Sequence, residues 1–153
     1  MSYRREEKFQ FNSQNTLSVL KSLRDFGAGI KYPPRPVCSL YFDSSELQMF
    51  HDSEEGITPR KKYRLRTYDS KFLNEGKYRS EVKVSSVEGR FKKSEEIPRG
   101  AVSDILKNGT TIHGYGQVRP VAFVTYQRQY FILNQFTITV DTDIAYQGFN
   151  SYL

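Results

Sequence analysis

Short alternations of apolar and polar side chains recur along this chain, and helical spacing shows up only in brief stretches. Residues 3–11 (YRREEKFQF) alternate and predict a first strand. Asn12 or Ser13 can then cap a helix to about Phe26, with Leu17, Leu20 and Leu23 on its buried face and Gly27 and Gly29 ending it. Residues 31–36 (KYPPRP) predict extended or turning backbone, because proline fixes φ and has no amide donor. Residues 37–43 (VCSLYFD) suit a pleated surface and predict a strand. Residues 44–56 predict a short helix, capped by Ser44 or Ser45 and ended by Gly56. Strands follow at 61–69, 77–86 and 89–97, the last two joined by a turn at Glu88 and Gly89. A short helix at 102–109 and a loop at 110–117 lead to a long strand, 119–134. Its hairpin partner, 135–147, turns back across Leu133 and Asn134. Seven strands and three short helices make the expected fold class α+β, antiparallel and β-rich, in one domain over 1–153.

Successive side chains of a strand point to opposite faces, so the parity of the charges is informative. Lys62, Arg64 and Arg66 share one face, with Tyr63, Leu65 and Thr67 on the other. Arg79, Glu81 and Lys83 oppose Ser80, Val82 and Val84. Arg90 and Lys92 align, as do Arg4, Glu6, Lys8 and Gln10, then Tyr126 and Arg128, then Thr137, Thr139, Asp141 and Asp143. One reading is a solvated outer surface, the default for half-buried strands. The other is the lumen of a closed barrel whose opposite faces are covered by helices and loops. Cations gathered in a lumen would repel unless a polyanion lay among them. A phosphate chain meets that demand: Arg offers forked planar donors and Lys a compact charge. Glu6, Glu81 and Asp141 would offer hard oxygen ligands, and Mg²⁺ or Mn²⁺ takes one or two carboxylates together with phosphate oxygens.

Composition narrows the field further. The chain has 153 residues, of which 37% are hydrophobic and 26% charged, so apolar material is scarce. The aromatic share of 14% argues against disorder. No run of about 18 apolar residues is present to cross a membrane as a helix. The first residues, MSYRREEKFQF, lack the apolar core of a secretory signal, and the single cysteine, Cys38, permits neither an internal disulfide nor a Cys-cluster zinc site. A cytoplasmic location is the expectation. The net charge of +6 favours an anionic partner.

The ordered pieces Glu6-x-Lys8-Phe9, SLYFD at 39–43, YRLRTY at 63–68, SEVK at 80–83, RFKK at 90–93, RPV at 119–121, YQR at 126–128 and TVDT at 139–142 carry a family likeness. Together they resemble the VTC (vacuolar transporter chaperone) polyphosphate-polymerase domain of the triphosphate tunnel metalloenzyme, or CYTH-like, group. The resemblance implies an antiparallel tunnel barrel, Mn²⁺ or Mg²⁺, and ATP or inorganic polyphosphate in the lumen. It implies metal-dependent phosphoryl transfer of the polyphosphate-polymerase kind. By position Lys8, Arg64, Arg66, Lys83 and Arg128 are similar to the family's phosphate-gripping, catalytic residues. Lys62 and Lys92 would join them, Lys93 replacing Lys92 after a one-residue shift, and Tyr126 would sit beside the terminal phosphate. Glu6 matches an acidic position that helps hold metal. Thr137 stands where the family usually carries Arg ahead of Asp141, and Arg4 stands where hydrolase members often carry Glu, which favours the polymerase-like branch. The family's last strand, with its metal-binding Glu, is expected to be missing. The barrel would then be incomplete, and its open edges would invite self-association.

Several other residues have ordinary explanations. His51 and His113 lack further ligands at metal-binding spacing, Cys38 sits in an apolar strand, and Gly114 and Gly116 have no P-loop context. Asp43 is placed to cap the helix that follows it. Asp141 is either a lumen ligand or the partner of an arginine. The alternative function is a non-catalytic polyphosphate- or nucleotide-binding module. A nucleic-acid-binding β domain is the weakest of the three readings.

Overall fold

The computed structural model describes residues 6–70, 72 and 76–151. Among the described residues seven strands form one sheet: β1 (Gly29–Asp43), β2 (Arg60–Thr67), β3 (Tyr78–Ser86), β4 (Gly89–Ile97), β5 (Thr110–Ile112), β6 (Gly116–Leu133) and β7 (Phe136–Gly148). Their order is β4-β3-β2-β1-β6-β5, with β7 also paired to β6. Three α-helices accompany them among the described residues: α1 (Thr16–Asp25), α2 (Gln48–Glu54) and α3 (Arg99–Asn108). No helix among the described residues is long and apolar enough to cross a membrane. The chain divides into two compact units, Met1–Arg35 with Tyr126–Ile144, and Pro36–Thr125 with Ala145–Leu153.

In the first unit a 3₁₀ turn, Ser13–Asn15, enters α1. Gly27 ends the helix at φ +83°, with its amide bonded to the Arg24 carbonyl and that of Ala28 to the Leu23 carbonyl. That double bond needs a left-handed residue, which glycine supplies without a Cβ clash. Leu20 packs with Phe131 and Val140, and Leu23, Ala28 and Ile138 border the cluster. Leu17 does not join them and is 79% exposed. The cluster is too small to cover a full helical stripe, so only the C-terminal half of the apolar face is buried. The strand expected at 3–11 is not formed over 6–11, and 3–5 lie outside the described residues. Its alternation finds no apolar surface to cover it: Phe9 is 82% exposed. Glu6 and Lys8 therefore sit on exposed, irregular backbone. Asp143 also leaves the expected series, because its φ of +54° breaks the alternation along β7.

In the second unit β2, β3 and β4 form an antiparallel meander beside β1. Leu40, Phe42, Tyr63, Leu65, Tyr78 and Phe123 lead the core, which α2 and α3 join through Met49 and Val102. Asp43 accepts hydrogen bonds from the amides of Ser44 (2.8 Å), Met49 (2.8 Å) and Phe50 (2.9 Å), so it caps α2 as expected. The Ser44 hydroxyl takes one more amide, from Gln48 at 3.1 Å. The proline run expected to be extended or turning is extended and lies inside β1, whose residues 31–36 are strand: proline's φ is compatible with extended backbone where no ladder donor is needed. The expected loop at 110–117 contains β5, paired to β6 through Thr110–Val118 and Ile112–Gly116. Among the described residues the strand count matches expectation because β5 adds a strand while residues 6–11 form none.

Candidate functional site

Register gathers the charges of the second unit onto one face. In antiparallel pairing, directly opposed residues project to the same side. Lys62 opposes Lys83, and Lys83 opposes Lys92, so three lysines form one row across β2, β3 and β4. The next row holds Tyr41, Arg64, Glu81 and Ser94, and the one after holds Ser39, Arg66, Arg79 and Glu96. A row on the other side of the lysines holds Arg60, Ser85 and Arg90. Eight cations thus share this face of β2, β3 and β4 with the carboxylates of Glu81 and Glu96. The opposite face carries Tyr63, Leu65, Thr67 and Tyr78, all buried. The separation of faces read from parity within each strand is therefore continued by the pairing between strands.

The centre of the face is an ion cluster. Glu81 is 2% exposed. Its Oε2 accepts from Arg64 Nε at 2.7 Å and lies 2.6 Å from Arg64 NH2. Its Oε1 accepts from Lys92 Nζ at 3.2 Å and Ser94 Oγ at 3.4 Å. Arg66 NH1 is 3.9 Å from Oε2, while Arg66 Nε donates to Ser39 Oγ at 3.0 Å. Arg64 NH1 donates to Tyr41 Oη at 3.0 Å, and the guanidinium carbon lies 5.8 Å from that ring's centre. Burial would lower the Arg64 pKa, but Tyr41 and Glu81 hold it raised, so this arginine stays cationic. Lys93, the alternative to Lys92, points to the other face and pairs with Glu95 at 2.7 Å.

The first unit holds a second pair. Arg128 donates from Nε to Asp141 Oδ1 (2.6 Å) and from NH2 to Oδ2 (2.7 Å), a bidentate fork. Its guanidinium carbon lies 5.0 Å from the centre of the Tyr126 ring. Asp141 is thus the partner of an arginine. On the same face of β7, Thr137 Oγ1 accepts from Lys31 Nζ at 2.8 Å, which puts a cation at the position where an arginine was expected.

The carboxylates expected to hold metal do not fit that task. Both oxygens of Glu81 and both of Asp141 are turned to cationic or hydroxyl donors. Glu6 is exposed on irregular backbone. Among the described residues no group of three or more His, Cys, Asp and Glu side chains could hold a metal ion. His51 is exposed beside Phe50, and the His113 carbonyl accepts from Lys61 Nζ at 2.7 Å. Cys38 is buried in the core.

Sequence reading missed Ser39, Tyr41, Ser94 and Lys31. Ser39 and Tyr41 lie within the SLYFD piece, but nothing there singles them out as site residues, since each of the four matters through a residue on another strand. Only the β1–β2 register puts Tyr41 opposite Arg64 and Ser39 opposite Arg66.

The family model for the VTC domain matches residues 3–151. The X-ray structure of a candidate adenylate cyclase from Vibrio parahaemolyticus is similar in fold, with a TM-score of 0.57 and 15% sequence identity. The likeness covers 89% of this chain and 70% of that one. No curated protein matches the sequence. The fold is α+β and mostly antiparallel, of the tunnel-like kind expected from the sequence.

Proposed function

The chain belongs to the VTC domain family, and from that premise we propose that it binds ATP or inorganic polyphosphate on the cationic face of β2–β4 and transfers a phosphoryl group between them. One observation carries this reading: Lys62, Lys83 and Lys92 stand directly opposite one another, with Arg64 and Arg66 in the adjoining rows. Like charges directly opposite disfavour one another, and the cations of this face outnumber its carboxylates, so the face as a whole attracts an anion lying across it. Phosphoryl transfer needs positioning and charge stabilisation above all, which arginines held by Tyr41 and Ser39 supply without reorganising. Lys8, Tyr126 and Arg128 enter this proposal through the family likeness.

Family membership implies a divalent metal, Mn²⁺ or Mg²⁺ in this proposal. The described side chains present no ready carboxylate site, so its ligation would rest on the phosphate oxygens it accompanies.

The test is calorimetric binding of tripolyphosphate and ATP, together with polyphosphate synthesis and triphosphate hydrolysis in Mn²⁺ and Mg²⁺. Arg64→Ala and Lys83→Ala should each weaken binding about tenfold or more, as expected for a lost charge-assisted hydrogen bond. Equal behaviour of wild type and both variants rejects the reading. A second reading, a binding module without turnover, is favoured by the commitment of Glu81 and Asp141 to arginines. It predicts binding with no metal-dependent turnover, so sustained turnover removes it.

A further inference from the structure

Glu81 is a fully enclosed carboxylate on a face that otherwise suits an anion. Every contact its oxygens make is with a donor: Arg64 through two nitrogens, Arg66 at longer range, Lys92 and Ser94. A metal ligand would turn a lone pair toward the ion, and neither oxygen is so placed.

We propose that Glu81 is a built-in counter-ion, which offsets part of the charge of Arg64, Arg66 and Lys92 while no ligand is bound and thereby sets how tightly the face holds a phosphate chain. The proposal rests on the anion-binding reading above and gives that site its affinity control. The geometry gives Glu81 two effects of opposite sign. It stabilises the empty fold, since Arg66 is itself buried and three cations would otherwise repel at close range. It also competes with an incoming phosphate for the same donors. Arg64 has five N–H groups, and three are spent on Glu81 and Tyr41; an anion adding to the remaining two must share that guanidinium with the carboxylate. Along the neighbouring row of lysines, Lys92 is the one tied to Glu81 in the same way.

Glu81→Gln keeps the size and one acceptor and removes the charge. Tripolyphosphate is titrated by calorimetry into both proteins, first in EDTA and then with Mg²⁺, at neutral pH. The variant should bind about tenfold more tightly in EDTA, because one unit of competing charge is gone from a low-dielectric site. The gain from Mg²⁺ should be the same in both proteins. The variant's melting temperature should be lower without ligand and rise more on saturation than that of wild type. Metal-free affinity that is unchanged or weaker, or a Mg²⁺ gain lost only in the variant, overturns the proposal.

The failures separate. If wild type binds and the variant binds no more tightly, the counter-ion role falls and the phosphate reading stands. Binding by the variant alone keeps the counter-ion role and removes the phosphate reading for the native protein. Binding by neither removes both. Should Glu81→Gln fail to fold, it is refolded with tripolyphosphate or with sodium chloride of equal ionic strength. Recovery with the polyanion alone supports the proposal, and recovery with neither or equally with both overturns it.

Discussion

Burial by itself would push the Glu81 carboxyl upward, but Arg64, Arg66 and Lys92 outweigh it and hold the group below the ordinary glutamate range. A lowered folded pKa means stability that is present above the unfolded value and lost as pH falls through the folded one. The stability difference between wild type and Glu81→Gln should therefore be constant above about pH 5 and shrink below about pH 4.3. Melting temperatures of both proteins from pH 3 to 7 test this, and a difference that stays flat to pH 3 contradicts it. Cys38 gives a second prediction at this scale. Burial pushes its thiol up to about 11, so it holds almost no thiolate at neutral pH. It should resist a maleimide in the folded protein and react fully in denaturant, and rapid native labelling would show that its strand opens. Residue identity and strand parity were enough to put Arg64 and Arg66 on one face of their strand and Lys83 on one face with Glu81. They could not choose Lys92 over Lys93, since adjacent residues differ only in which face they take, and the β3–β4 register decides that.

Elements were legible where their determinants are local. The β3–β4 hairpin follows from alternation and the Glu88–Gly89 turn, and β4 spans Gly89–Ile97 as expected. The cap of α2 was readable because Asp43 precedes the helix it serves. Asp43→Ala should cost about 2 kcal/mol, since it removes a cap and leaves amides at a partly buried helix start without their acceptor. That corresponds to a fall in melting temperature of roughly 4–8 °C for a chain of this size. A fall of under a degree would mean that water or Ser44 replaces the carboxylate. Elements that depend on a distant neighbour were misread. Residues 3–11 alternate like a strand, yet 6–11 have no buried face and remain irregular. The short segment Thr110–Ile112 carries a weak local preference, and pairing in the sheet made it strand, whereas the Pro-rich residues 31–36 are extended within β1, one of the two conformations expected of them.

For the whole molecule the excess of positive charge is the controlling quantity, at +6 overall. A polyanion that binds the folded state alone should stabilise it by about 2.7 kcal/mol at a hundredfold excess over its dissociation constant. A rise in melting temperature of roughly 5–10 °C with tripolyphosphate should follow. It should diminish as sodium chloride is raised toward 1 M, because salt screens exposed charges such as Lys62. Thermal denaturation across a salt series measures this, and the absence of a rise at low salt would remove the polyanion from the account.

By itself the sequence determined the spacing of charges along each strand, the apolar reverse of β2 and β3, the α+β class and the family likeness. All of these depend on covalent geometry that repeats every two residues, or on motifs confined to a few positions. The tertiary structure alone decided that Lys62, Lys83 and Lys92 stand in one row, that Tyr41 and Ser39 hold the arginines, and that Glu81 is enclosed by cations. Register is a relation between segments far apart in the chain, and one shifted residue would have sent each of these side chains to the opposite face.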